Sequence, residues 1–89
     1  MPSVVELLAR VKVIYFAGAR DIVEKQAEFI EAGANPTATA VLQLLVSLHP
    51  GLKPMARSLR LSVNQEIAEP GHRIKDGDEV GVLPPVAGG

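Results

Sequence analysis

Apolar and polar residues alternate with a period of two near the beginning and the end of the chain, and repeat with a helical period in its middle. Val11-Lys12-Val13-Ile14-Tyr15-Phe16-Ala17 is rich in β-branched and aromatic residues and predicts a strand. Val11, Val13 and Tyr15 share one face of it, and Lys12, Ile14 and Phe16 the other. A turn is predicted near Gly18. Ala27 to Ala32 then reads as a second strand, closed by Gly33, Asn35 and Pro36, and the two strands are expected to form a hairpin. Val41, Leu44, Leu45 and Leu48 recur at helical spacing after Thr37, a good N-cap, and the helix should stop at His49-Pro50-Gly51 because proline disfavours helical geometry in the residue before it. Leu59, Leu61 and Val63 alternate with Arg60, Ser62 and Asn64, and Glu79 to Leu83 with Val80 and Val82 inward predicts the last strand. Pro70-Gly71 and Asp76-Gly77-Asp78 are turn signals.

Two hairpin-like units around one main helix cannot make a doubly wound sheet. The expected fold is α+β, a mixed sheet with the helix packed across one face, of the β-grasp, ubiquitin-like kind. The division expected is an N-terminal extension over 1–10, the domain over 11–83 and a flexible tail over 84–89.

Composition narrows the function. Eighty-nine residues allow one domain, and with 47% apolar but only 3% aromatic residues the core must be aliphatic. Nine basic against ten acidic residues give a net charge of −1 with no basic stripe, so nucleic acid is not an expected partner. The chain has no cysteine, which excludes disulfides, thiolate metal sites and an internal redox thiol. No apolar run approaches the length of a membrane span and the start lacks the basic region of a signal peptide, so no membrane association is expected and the cytoplasm is the expected location. His49 and His72 flank no second ligand at metal spacing, and a structural or solvent-facing role is expected for both. His49 suits a helix C-terminus through the dipole. Asp76-Gly77-Asp78-Glu79 lacks the ligand spacing of a calcium loop. No catalytic triad or phosphate-cradling loop appears, so the chain reads as a substrate or carrier for other proteins.

The candidate chemistry lies in the last residues, Leu83-Pro84-Pro85-Val86-Ala87-Gly88-Gly89. Pro84 and Pro85 cannot extend a central ladder and stiffen the point where the tail leaves the body. Gly88 and Gly89 lack a Cβ and can pass through a channel too tight for a side chain. Six residues from Pro84 onward reach roughly 20 Å when extended. A carboxylate at Gly89, with a pKa of about 3.3 to 3.7, is a poor electrophile until a partner activates it. A frayed end has the same composition, and an inert tail is the plain alternative. Phe16 and Leu83 fall on strand faces opposite the helix, with Ile67 placed to join them. Gathered at the base of a reactive tail, they suggest a docking patch.

From Val11 onward the chain resembles the small, sulfur-carrying subunit of molybdopterin synthase. The residues that carry the likeness are Tyr15-Phe16-Ala17 with Arg20, Pro36-Thr37, Val63-Asn64-Gln65, Asp76-Gly77-Asp78-Glu79-Val80 and Pro84-Pro85-Val86-Ala87-Gly88-Gly89. The resemblance implies that Gly89 is adenylated with ATP by an E1-like activating enzyme and converted to a thiocarboxylate by a sulfurtransferase relay. The tail then enters the large synthase subunit, in a heterotetramer, and gives its sulfur to cyclic pyranopterin monophosphate. No stably bound cofactor is implied, and the catalytic residues belong to the large subunit. Phe16, Ile67 and Leu83 match the family's apolar docking surface and Arg20 a polar contact beside it, Leu83 standing where an aromatic residue is common. A sulfur carrier for thiamine thiazole synthesis shares the fold and the Gly-Gly end, and a ubiquitin-like protein modifier uses the same activated carboxylate on lysines.

Overall fold

In the computed structural model, which describes residues 8–85, the strands are β1 (Leu8–Tyr15), β2 (Ala27–Ala34), β3 (Arg60–Val63), β4 (Glu66–Ile67) and β5 (Glu79–Leu83). The helices are α1 (Ala17–Val23) and α2 (Ala38–Leu48), followed by a 3₁₀ segment over Pro50–Ser58. The strands form a five-stranded sheet in the order β2-β1-β5-β3-β4. β5 is therefore interior, parallel to β1 and antiparallel to β3. This is the mixed α+β arrangement the pattern predicts.

The side-chain alternation sorts as expected. Val11, Val13 and Tyr15 of β1, Leu61 and Val63 of β3, and Val80 and Val82 of β5 are buried under Val41 and Leu45 of α2 and Leu52 of the 3₁₀ segment. Tyr15 is the sole ring in this core among the described residues. Thr37 caps α2 through its hydroxyl, which accepts from the Ala40 amide at 3.1 Å, and His49 closes the helix with its amide on the Leu45 carbonyl. Thr37→Ala removes that acceptor and is expected to lower stability by about 1 kcal/mol. Thermal unfolding should show it as a fall of about 4 to 8 °C.

Three elements depart from the pattern. The expected turn near Gly18 is helix α1, so β1 and β2 pair antiparallel without a tight hairpin turn between them. Ala19 and Val23, four residues apart, bury one side of α1, and Glu24 ends it in a left-handed conformation at φ 64°. The 3₁₀ segment carries Pro50 and Pro54 and buries Leu52, which no regular period announces. β1 begins at Leu8, so Leu8, Ala9 and Arg10 are strand rather than extension, and Ala9 is part of the core. Residues 1–7 of that extension lie outside the described residues.

The Asp76-Gly77-Asp78 turn holds β5 in place. The Arg10 amide donates to Asp76 Oδ1 at 2.9 Å, and Gly77, at φ 87°, donates to the Arg10 carbonyl. Asp78 accepts from Asn64 Nδ2 and from the Lys75 amide, while Asn64 Oδ1 accepts from the Glu79 amide. Asn64 and Gln65 both have positive φ, 51° and 74°, the geometry of a two-residue hairpin turn that matches strand twist. Much of the motif pair Val63-Asn64-Gln65 and Asp76-Gly77-Asp78-Glu79 is thus accounted for by anchoring the start of β5, at the end opposite the tail.

Candidate docking face and tail exit

The helices lie against one face of the sheet, and the other face carries the candidate residues. The register sets Ile14 beside Gly81, Gly81 beside Ser62, and Ser62 beside Ile67, one continuous outward row across β1, β5, β3 and β4. The next row holds Leu83 beside Arg60. Phe16 follows Tyr15, which pairs with Val82, and its amide donates to the Val82 carbonyl at 3.2 Å, which fixes it alongside Leu83. Phe16 is 43% and Ile67 59% exposed, whereas Leu83 and Pro84 are half-buried. Large apolar side chains left this open at the rim of a strand are available to a partner.

Gly81 explains how Phe16 sits. A Cβ at position 81 would collide with Ser62 Oγ and approach Phe16 Cε2 to 3.1 Å, so the absent side chain leaves a notch that the ring covers. Glycine within a strand is the sequence signal for such close approach. Ile14 and Ser62 lie on this face as the alternation of their strands predicts, whereas the part played by Gly81 was not singled out from the sequence.

Arg20 stands on α1 with its amide 3.3 Å from the Phe16 carbonyl, one helical turn beyond the ring. Pro84 and Pro85 follow directly from the end of interior strand β5. The chain therefore leaves the body between the neighbouring ends of β1 and β3, at the edge of the apolar face. Phe16, Leu83 and Pro84 meet there, with Arg20 one turn along α1 and Ile67 set off by the width of β3. Val86, Ala87, Gly88 and Gly89 lie outside the described residues.

The titratable cluster lies on the helix side. Glu28 points inward from β2, where Tyr15 Oη donates to its Oε2 at 2.6 Å, His49 Nε2 meets the same oxygen at 2.5 Å and Lys25 Nζ reaches Oε1 at 3.2 Å. The Tyr15 and His49 rings pack edge to face with centroids 5.7 Å apart. Burial, with the Glu28 carboxylate beside it, pushes the Tyr15 phenol well above its ordinary value. For Glu28, burial is the largest influence and opposes ionisation. The hydrogen bonds from Tyr15, His49 and Lys25 and the attraction of His49 together outweigh it and hold the carboxyl below its ordinary 4.5. This network ties the end of α2 to β1 and β2, a role for His49 beyond its favourable place at the helix terminus. His72 is exposed, and its carbonyl accepts from the Ala38 amide. Among the described residues no group of three His, Cys, Asp or Glu side chains is placed to hold a metal ion.

Residues 13–89 match the ThiS family. The molybdopterin synthase sulfur carrier subunit of Chlamydomonas reinhardtii is 32% identical over 82 residues, covering 90% of this chain and 99% of that protein. The solved complex of subunits 1 and 2 of the molybdopterin-converting factor from Helicobacter pylori contains a chain with 26% identity and a TM-score of 0.64, matched over 90% of this chain and 99% of that one. The small archaeal modifier protein 1 of Methanosarcina acetivorans is 26% identical with a TM-score of 0.76, over 92% of this chain and 98% of that one.

Proposed function

Because the chain belongs to the ThiS family, we propose that it is the sulfur carrier subunit of molybdopterin synthase and that Gly89 is the residue that carries the sulfur. The observation that carries this reading is the exit of the chain from the interior strand β5 through Pro84 and Pro85, beside the outward cluster of Phe16 and Leu83. A rigid sheet presents a thin tail at a fixed point, and an apolar face next to that point gives a partner something to hold.

The chemistry follows from the weakness of a carboxylate as an electrophile. A carboxylate oxygen of Gly89 attacks the α-phosphorus of ATP on an E1-like activating enzyme, pyrophosphate leaves, and the acyl adenylate is an electrophile. A sulfide equivalent delivered by a sulfurtransferase displaces AMP and leaves a thiocarboxylate. ATP is a substrate of the activating enzyme, and no cofactor resides on the carrier. The tail then enters the large synthase subunit, in a heterotetramer, where the soft thiocarboxylate sulfur is transferred to cyclic pyranopterin monophosphate. Two such transfers supply the dithiolene. Phe16, Ile67 and Leu83 form the docking face and Arg20 its polar flank. No helix among the described residues is long and apolar enough to cross a membrane, and we place the carrier in the cytoplasm with its partners.

The likeness to an archaeal modifier protein favours a second reading, attachment of the activated Gly89 to lysines of other proteins. The two readings diverge in reconstitution. Thiocarboxylated carrier mixed with the large subunit and cyclic pyranopterin monophosphate is expected to yield molybdopterin. Failure there, with covalent lysine adducts in extracts, would favour the modifier.

Phe16→Ala removes the most accessible ring at the tail exit and is expected to weaken assembly with the large subunit by about tenfold or more. Gly81→Val should weaken it by a smaller factor, because it displaces the ring from its notch without deleting it. Calorimetric titration against the large subunit measures both.

A further inference from the structure

The apolar row at the tail exit has an exposed cation beside it on β3. Arg60 is paired with Leu83 across β3 and β5, and the alternation of β3 sends its side chain outward with Ser62, away from buried Leu61 and Val63. Arg20 follows Phe16 by one turn, on α1. Both arginines are exposed. Among the described residues the ion pairs join Arg10 to Glu31 and Glu28 to Lys25 and His49, and none engages Arg20 or Arg60. Asp76, Asp78 and Glu79 gather at the other end of β5, where the two aspartates are bound into the turn. Asp21 and Glu24 stand beside Arg20 on α1 and offset its charge, so on the β3 side of the tail exit Arg60 is the exposed cation next to Leu83.

We propose that Arg60 reads a carboxylate on the partner, and that the apolar groove receiving the tail carries an acidic side chain opposite it. The proposal rests on the sulfur-carrier reading and names the chemistry of the large subunit's docking surface. A guanidinium offers a planar fork that matches a carboxylate bidentately, which fixes register as well as adding attraction. Phe16 and Leu83 fill the groove, and the paired charges set how the tail is aimed into it. Rim charges of this kind act mainly on the rate of association and on its salt dependence.

The test measures association of the full chain with the large synthase subunit from the same genome, at low and at high salt. Arg60→Glu is expected to slow association and weaken binding by about tenfold or more, with a shallower salt dependence. Lys75→Glu makes the same change of charge at the opposite end of the sheet and is expected to bind like the unaltered chain. Arg60→Lys should recover only part of the affinity, because an ammonium lacks the fork. Equal binding by Arg60→Glu and the unaltered chain overturns the inference alone, as does an equal loss in Lys75→Glu. No association of the unaltered chain overturns the assignment to molybdopterin synthase and the inference with it.

Discussion

Deletion of Gly89 is expected to abolish sulfur transfer completely while leaving the melting temperature and circular dichroism of the domain unchanged. The two readouts separate because the chemistry and the fold depend on different residues. The hydrophobic core is closed by residues between Ala9 and Val82, and the last hydrogen bonds of β5 are made before Pro84. Removing one residue beyond Pro85 leaves all of these in place. The deletion moves the terminal carboxylate to Gly88, one residue short of its reach into the activating site, and a displacement of about 3.5 Å is large against the tolerance of a reacting geometry. Gly89→Ala tests the related point. It keeps the reach and the carboxylate but adds a Cβ, and is expected to slow activation rather than to abolish it. Sulfur transfer at an undiminished rate by the truncated chain would refute the assignment of Gly89.

Glu28→Ala is expected to cost about 3 kcal/mol of stability, a fall in melting temperature of more than about 10 °C. The loss is large because Glu28 is the acceptor for three donors at once. Its side chain is 17% exposed, and Tyr15 is buried to 1% exposure, so the phenol that donates to it is left without a partner in the core. Glu28→Gln keeps an acceptor for Tyr15 and removes the charge, and should cost about half as much. The pH dependence has a definite sign. A carboxyl held below its ordinary 4.5 contributes stability above that pH and loses it as pH falls through the folded-state value. The difference between the unaltered chain and Glu28→Gln is therefore expected to be full at neutral pH and to narrow below about pH 4.5. Thermal unfolding of both proteins across that range reads it, and a gap that widens on acidification would contradict the network.

The sequence discloses the fold where one period runs long enough to be counted. Helix α2 has Val41 and Leu45 on one side, an N-cap at Thr37 and a proline just past its end, so its limits were readable to the residue. Strands β3 and β5 are readable for the same reason, β5 with the expected limits and β3 one residue shorter at each end than the Leu59 to Asn64 alternation. Helix α1 has only seven residues and contains Gly18, and its buried pair Ala19 and Val23 is too sparse a signal against the turn chemistry of glycine. β4 is two residues long and exists because the Asn64-Gln65 turn folds it back on β3. Glu28 was hidden for a different reason. Along β2 the inward positions are Glu28, Ile30 and Ala32 while Phe29 faces out at 62% exposure, so the strand inverts the usual rule at two neighbouring positions. Only the arrival of Tyr15 and His49 from elsewhere in the chain makes an inward carboxylate stable. At the tail exit, Phe16 and Leu83 could be placed from alternation alone. Arg60 and Gly81 required the register of β3 against β5, which no local pattern contains.

Incubation of the protein with an E1-like activating enzyme, ATP and a sulfur donor, followed by intact mass and mapping of the C-terminal peptide, tests the central claim most directly. The expected result is a mass gain equal to the replacement of one oxygen by sulfur, located at Gly89. An unchanged mass, from an activating enzyme encoded with this chain and shown to be active on another carrier, would contradict the sulfur-carrier assignment.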